Sequence, residues 1–358
     1  MEKSGKKRIL IVDDSPTVAL ILRGIIDAES DMMVVGHARN GYEAVNMTQV
    51  LRPDLITMDI RMPFMDGFDA IEKIMIVQPT PIIVVSAKVN DEQLRITFNA
   101  IKLGALAVVE KPENITQDGF EHMRSRLVQT IRLMAEIKVV THKTPRKVSR
   151  HEIPVVTDFK KSDKLDYKIV ALGVSTGGPV ALQTILSELP KNFPVPIVIV
   201  QHMSPGFLGG FIKWLQDDVI LPISLAIDKE QLLPGHIYFA PDQKHLSIVE
   251  KGGSLFASVE ASRKPSSFCP SINVLFKSLS KIGTGKVLAG ILTGMSGDGI
   301  PGMCALYEAG HYTFSQDIKS SIVSGMIKEA IESKCVYDVV SLDNIAKFMI
   351  KKLQGEIR

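Results

Sequence analysis

The stretch from Lys168 to Pro179, Lys-Ile-Val-Ala-Leu-Gly-Val-Ser-Thr-Gly-Gly-Pro, constrains this chain most. An apolar, β-branched run ends in a glycine-rich turn, and a helix-like segment from Pro179 to Leu189 follows. Ile169 to Leu172 suits a strand buried on both faces, and Pro179 suits the first turn of a helix. Ser175 is then expected on a sharp strand-to-helix turn, with its hydroxyl beside backbone N–H groups. Gly173 to Gly177 is G-x-S-x-G, the pattern of a nucleophile elbow. Three plainer readings compete. An ordinary βα turn also uses glycines. A dinucleotide fingerprint would need glycine where Ser175 stands and an acidic residue at the end of the next strand, Ile197 to Gln201. A P-loop would need a following Gly-Lys-Ser/Thr, which is absent.

Two residues further on favour chemistry. Pro196 to Gln201 reads as another buried strand, ending at His202, before a helix from Phe207 to Leu215. Val287 to Leu292 reads as a third, ending in Thr-Gly-Met-Ser-Gly-Asp-Gly with Asp298, before a helix from Pro301 to Ala309. Taken singly, His202 reads as structural and Asp298-Gly299 as a turn pair. Together, Ser175, His202 and Asp298 have the residue types of a serine hydrolase triad. Serine needs a base to take its proton, and the base needs a carboxylate to orient it. Backbone N–H groups near Gly177 or Met295 could form an oxyanion hole. The chain order Ser, His, Asp differs from that of the α/β-hydrolases. His236 and His245 fall among shorter strands (Ser224 to Ile227, Gly235 to Ala240, His245 to Val249, Leu255 to Val259), expected as an antiparallel element, and carry little sign of chemistry.

The first third alternates strand and helix signals, which implies a parallel sheet with helices on both faces. Strands are expected at Ile9 to Val12, Met33 to Gly36, Asp54 to Met58, Ile82 to Val85 and Ala105 to Val109. Helices are expected at Pro16 to Ala28, Gly41 to Leu51 and Asp91 to Leu103. Five polar residues close those strands: Asp13 and Asp14, Asp59, Ser86 and Lys111. Three carboxylates brought together repel unless a cation joins them, and hard oxygen ligands suit Mg²⁺. Asp59 could then attack a phosphoryl donor, with Ser86 and Lys111 holding the phosphoryl oxygens. Alternatively, Asp13-Asp14 is a helix-capping pair.

With 358 residues and 45% hydrophobic content, the chain is long enough for two domains with separate cores. Its net charge of +3 is mild and gathers in the middle, which argues against a nucleic-acid partner. No run approaches the ~20 apolar residues of a membrane helix, and no signal-peptide core is visible, so the expected place is the cytoplasm, without membrane insertion. Cys269, Cys304 and Cys335 show no metal-ligand spacing and are expected to be reduced, without a disulfide framework. Helical periodicity runs from Ile115 to Ile137. Lys138 to Lys168 then loses apolar periodicity and carries Lys143, Arg146, Lys147, Arg150, Lys160, Lys161 and Lys164, reading as a basic linker or a docking segment for an acidic partner.

Two resemblances follow from these motifs. Ile11-Val-Asp-Asp-Ser15, Met58-Asp-Ile-Arg-Met-Pro-Phe-Met-Asp-Gly67, Val84-Val-Ser86 and Glu110-Lys-Pro112 resemble a two-component receiver. This implies Asp59 as phosphoacceptor, and Asp13, Asp14, Asp59 and the Arg61 main-chain carbonyl as Mg²⁺ ligands. It also implies Ser86 and Lys111 as phosphate partners. Val108 stands where receivers often carry an aromatic switch residue. Gly173 to Gly178, Val200-Gln-His-Met203, Leu233 to Pro241, Leu292 to Gly299 and Gly325-Met326 resemble the catalytic domain of chemotaxis protein-glutamate methylesterases. That implies Ser175, His202 and Asp298 as catalytic residues, with Thr176, Gly177 and Met295 lining the site and no cofactor for ester hydrolysis. Cys269, Asn273, Ile318 and Ile327 depart from the family's usual arginine, aspartate, acidic residue and proline.

The expected fold is therefore α/β, in two doubly wound domains. A flavodoxin-like receiver spans 8–129, a linker 130–165, and a larger, mostly parallel Rossmann-like esterase domain 166–356. The resemblance implies demethylation, and deamidation, of methyl-accepting chemoreceptor cytoplasmic domains. It also implies a chemotaxis histidine kinase as phosphodonor. Two complete sites joined by a pliable linker give the expectation that the unphosphorylated receiver rests over the esterase face and that phosphorylation of Asp59 weakens that docking. The alternatives are a signalling adaptor and an esterase with a target outside chemotaxis.

Overall fold

A computed structural model describes residues 5–87, 90–111, 117–137, 139, 166–262, 268–283 and 285–356. The chain divides into two compact units, Met1–Ser149 and Arg150–Arg358.

In the first unit the chain runs β1 (Lys7–Val12), α1 (Pro16–Asp27), β2 (Met32–Ala38), α2 (Gly41–Leu51), β3 (Leu55–Met58), α3 (Gly67–Val77), β4 (Ile82–Ser86), α4 (Asp91–Lys102), β5 (Ala107–Glu110) and α5 (Gln117–Met134). The five strands lie in the order β2-β1-β3-β4-β5, all parallel. Ile9 to Val12 of β1 and all four residues of β3, Leu-Ile-Thr-Met, are buried, as a sheet covered on both faces requires. α3, which the sequence reading left unassigned, is capped by Asp66, whose carboxylate accepts from the Asp69 N–H.

The expected linker begins too early. α5 runs through residue 130 to Met134, because Ile131 and Met134 are fully buried and Arg132 donates to Asp31 at 2.6 Å. The rest of the expected basic connector, residues 138 and 140–165, lies outside the described residues, as does Pro112.

The second unit runs β6 (Tyr167–Val174), α6 (Gly178–Leu186), β7 (Ile197–Gln201), α7 (Leu208–Gln216), β8 (Ile223–Leu225), β9 (Ile237–Phe239), β10 (Lys244–Lys251) and β11 (Ser254–Ala261). It continues with α8 (Ile272–Leu279), β12 (Lys286–Ile291), α9 (Ile300–Glu308), β13 (Tyr312–Gln316), α10 (Gly325–Glu332), β14 (Asp338–Val340) and α11 (Leu342–Gln354). Seven strands form a parallel sheet ordered β14-β13-β12-β6-β7-β9-β8. Ile169 to Leu172 of β6 are wholly buried at its centre, each large aliphatic side chain contributing about 1.5–3 kcal/mol. The expected antiparallel element is half right. β10 and β11 form an antiparallel hairpin, but β8 and β9 join the main sheet as parallel strands.

The cysteines also differ from expectation. Cys304 on α9 and Cys335 after α10 form a disulfide, with Cα atoms 4.9 Å apart and a sequence separation of 31. That separation matches no motif; packing of α9 and α10 against one core brings the pair together. Cys269 is the remaining free thiol. Thiol titration of protein purified and unfolded without reductant is expected to count one thiol per chain; a count of three would exclude the bridge.

Candidate active site

Both units present their functional candidates at the carboxyl ends of parallel strands. In the esterase-like unit the strand order reverses between β6 and β12. The chain runs from β6 out to one edge and then returns to β12 on the other side. Such a reversal opens a crevice that no connection crosses.

Ser175 directly follows β6, and its N–H donates to the Thr293 carbonyl at 3.0 Å. The Ser175 carbonyl accepts from the Gly178 N–H and from Gln201 Nε2, both at 2.9 Å, which closes the turn. Gly177 is left-handed, at φ 83°, and a Cβ there would lie 2.8 Å from both Ile322 and Thr293. Only glycine suits that place. Val174 pairs with Gln201 across β6 and β7, so Ser175 and His202 are the next residues of neighbouring strands. The β7 strand itself ends at Gln201, and the His202 N–H continues the ladder to the Val174 carbonyl at 2.9 Å.

Asp298 comes from the loop after β12, on the other side of β6. Its Oδ2 lies 3.0 Å from His202 Nε2, and both side chains are buried. Three further donors hold the carboxylate. The Ser271 hydroxyl donates at 2.8 Å, the Ile272 N–H at 2.7 Å and the Asn273 N–H at 3.1 Å. The last two are the first N–H groups of α8, where an anion is favoured. Burial pushes the Asp298 carboxyl up, but hydrogen bonds from His202, Ser271 and Asn273 outweigh it and hold the group below its ordinary value. Ser271 is the residue that sequence reasoning missed. It also caps α8, accepting from the Val274 N–H, so its role looks local until α8 is seen against Asp298.

Gly294 packs against Ser175, for an added Cβ would stand 2.7 Å from the Ser175 Cβ. Met295 follows it, 36% exposed, while Thr176 is half-buried in the Ser175 turn. The structure thus gathers Ser175, Thr176, Gly177, His202, Met295 and Asp298. It leaves His236 on the sheet's far side of β7, where Nε2 pairs with the Ser224 hydroxyl at 2.9 Å and the ring stacks on Tyr238. His245 belongs to the β10 strand of the hairpin.

In the receiver-like unit the reversal falls between β1 and β3. Asp13 follows β1 and Asp59 follows β3, its N–H bonded to the Val12 carbonyl at 2.8 Å. Lys111 Nζ lies 2.7 Å from Asp59 Oδ2 and 3.0 Å from Asp13 Oδ2. Carboxylate oxygens of Asp13, Asp14 and Asp59 come within 4.8 Å of one another. This all-oxygen set fits Mg²⁺, and one ammonium among three carboxylates leaves negative charge for such a cation to balance. Burial pushes the Asp59 carboxyl up, Lys111 pulls against it and Asp13 adds to the rise. Lys111 is held above its ordinary value, because Asp59 and Asp13 together outweigh its burial. Asp59, Arg61, Ser86 and Lys111 line one cavity, joined by Gln93 and Thr97 of α4, two residues that carried no sequence signal. Asp13 and Asp14 are not the helix cap; Ser15 is, accepting from the Val18 N–H.

Among known proteins, a family profile described as CheB methylesterase matches residues 170–349, and one described as a response regulator receiver domain matches residues 9–118. The protein-glutamate methylesterase/protein-glutamine glutaminase 4 of Myxococcus xanthus is 40% identical over 353 residues, 99% of either chain. The chain belongs to the CheB methylesterase family. Its relative in Nitrosospira multiformis, a protein-glutamate methylesterase/protein-glutamine glutaminase, is 39% identical over 94% of either chain. The crystal structure of the Thermotoga maritima CheB methylesterase catalytic domain is 35% identical and superposes with a TM-score of 0.50, covering 53% of this chain and 99% of that one.

Two departures from the usual CheB pattern gain a physical account. Asn273 keeps an acceptor oxygen, which takes the Gly302 N–H at 2.8 Å in the first turn of α9. Ile327 is fully buried in α10. Ile318 stays 45% exposed, and nothing in the structure explains it. Among the described residues no helix is long and apolar enough to cross a membrane.

Ser271→Ala removes both a cap and a hydrogen bond to an ionised carboxylate, and is expected to destabilise the second unit by about 1.5–3 kcal/mol at neutral pH. A depressed folded-state pKa contributes stability that is present above the unfolded carboxylate value of about 3.9 and lost as pH falls through the folded value. The gap between wild type and variant in urea unfolding is therefore expected to shrink below that pH. A gap constant with pH would detach Ser271 from the Asp298 charge.

Proposed function

We propose that this chain is a phosphorylation-activated protein-glutamate methylesterase that also deamidates glutamines on the same receptor helices. The observation that carries the reading is the buried His202–Asp298 pair, held at the α8 N-terminus and set one strand from Ser175. Ser175 Oγ attacks the carbonyl carbon of a glutamyl methyl ester. With Nε2 turned to Asp298, Nδ1 of His202 is the base assigned to the serine proton. Asp298 stabilises the imidazolium that results. N–H groups near Gly177 and Met295 take the charge of the tetrahedral oxyanion. Collapse of that intermediate breaks the bond to methoxide, which leaves as methanol with the histidine proton. Water, deprotonated by the same histidine, then attacks the acyl carbon, releasing glutamate and restoring Ser175.

In the receiver unit the Asp59 carboxylate attacks the phosphorus of a phosphohistidine on a chemotaxis-type kinase, forming an acyl phosphate and freeing the histidine. Ser86 and Lys111 bind the phosphoryl oxygens. Asp13, Asp14, Asp59 and the Arg61 carbonyl would hold Mg²⁺, which would neutralise the charge that phosphoryl transfer gathers there. The targets are cytoplasmic domains of methyl-accepting chemoreceptors, which places the enzyme in the cytoplasm.

Methanol release from methylated receptor membranes tests both halves. Release is expected to fall at least about 10³-fold in Ser175→Ala. It is expected to rise with Mg²⁺ and a small phosphodonor in wild type, and not in Asp59→Ala. Absence of release from folded, phosphorylated protein would overturn the esterase reading. Release indifferent to phosphodonor would overturn its regulation.

A further inference from the structure

The Phe268 ring lies flat against His202. Their centroids are 4.7 Å apart and their planes differ by 12°. Phe268 is 36% exposed, so the ring is only partly withdrawn from water and is not a core residue. Three residues further on, the same short segment supplies the Ser271 hydroxyl and the Ile272 and Asn273 N–H groups that hold Asp298. One stretch of chain, 268–273, thus grips both members of the histidine–carboxylate pair.

The physics gives the stack a task. The torsion that turns an imidazole about its last bond is broad. The hydrogen bond from Nε2 to Asp298 fixes the direction of one edge of the ring and does not by itself set the tilt of its plane. A flat aromatic neighbour in parallel contact sets that plane. When His202 takes the serine proton it becomes a cation, and an aromatic face beside a cation attracts it. The same face keeps water off one side of the ring, where a loose imidazolium would otherwise be solvated.

We infer that Phe268 is a positioning residue for His202, holding the imidazole plane for proton transfer from Ser175 and stabilising the imidazolium that forms. The inference rests on the esterase reading above. It assigns Phe268 no contact with the substrate.

The test compares Phe268→Leu, which keeps apolar bulk and loses the ring, with Phe268→Tyr, which keeps it. Both are assayed in the full chain by methanol release from methylated receptor membranes, with unfolding curves to show that each variant is folded. Phe268→Leu is expected to lower kcat roughly tenfold with KM unchanged, since small displacements of a reacting group cost that much or more. Phe268→Tyr is expected to restore it. In NMR spectra, the His202 ring protons are expected to carry an upfield ring-current displacement in wild type and Phe268→Tyr, lost in Phe268→Leu. A higher KM at unchanged kcat would make Phe268 a substrate contact and overturn the inference. So would full activity in Phe268→Leu, or a Phe268→Tyr variant as impaired as Phe268→Leu. Ser175→Ala separates the two levels. Release that survives Ser175→Ala, or is absent in wild type, removes the esterase reading and this role together. Ser175-dependent release that is indifferent to Phe268 removes this role alone.

Discussion

Parallel strand pairing is the constraint on which both candidate sites depend. When every strand of a sheet points the same way, every carboxyl end opens on one edge. Where the strand order reverses, two neighbouring loops turn away from each other and leave a crevice. β6 and β12 flank that point in the second unit, and β1 and β3 in the first. Ser175 and Asp298 therefore come from opposite sides of one reversal, although 122 positions separate Ser175 from Gly297, the residue before Asp298. Asp13 and Asp59 do the same around the other. The closeness of β6 to α8 is part of this arrangement, since a Cβ on Gly173 would stand 2.5 Å from Ile272. That contact brings the α8 N-terminus down onto Asp298.

The two crevices handle buried carboxylates in opposite ways. Asp298 is surrounded by donors: an imidazole, a hydroxyl and two backbone N–H groups. These keep it an anion despite burial, which suits a group whose work is to orient a base and face an imidazolium. Asp59 is buried beside another carboxylate with a single lysine between them, and burial raises its proton affinity. A site left with surplus negative charge calls for a cation, and the surplus is what a hard divalent ion would meet. The same residue type thus serves as a fixed charge in one unit and as a nucleophile awaiting its counter-ion in the other.

Around Asp298, the side chain and main chain of one residue serve different partners. The Asn273 side-chain oxygen accepts from the Gly302 N–H in the first turn of α9. The backbone N–H of the same residue still reaches Asp298, because a main-chain donor does not depend on the side chain. Cys269 follows Phe268 in the chain, and burial pushes its thiol up.

By itself the sequence determined the local pattern. Buried β-branched runs ending in Ser175 and His202, and in Asp13, Asp59 and Lys111, marked the strands and the polar residues that close them, and a third run led into the glycine-rich loop that carries Asp298. Period and turn chemistry are local properties, so they are legible without a fold. The caps of α3 and α8, Asp66 and Ser271, resemble ordinary loop residues until the helices they open are seen. Tertiary structure decided the rest. It turned Nε2 of His202 towards Asp298 and brought Gln93 and Thr97 to the Asp59 cavity. It joined Cys304 to Cys335 and laid Phe268 on His202. Each of these pairs residues far apart in the chain, or sets a side chain's orientation, and only packing brings such groups together.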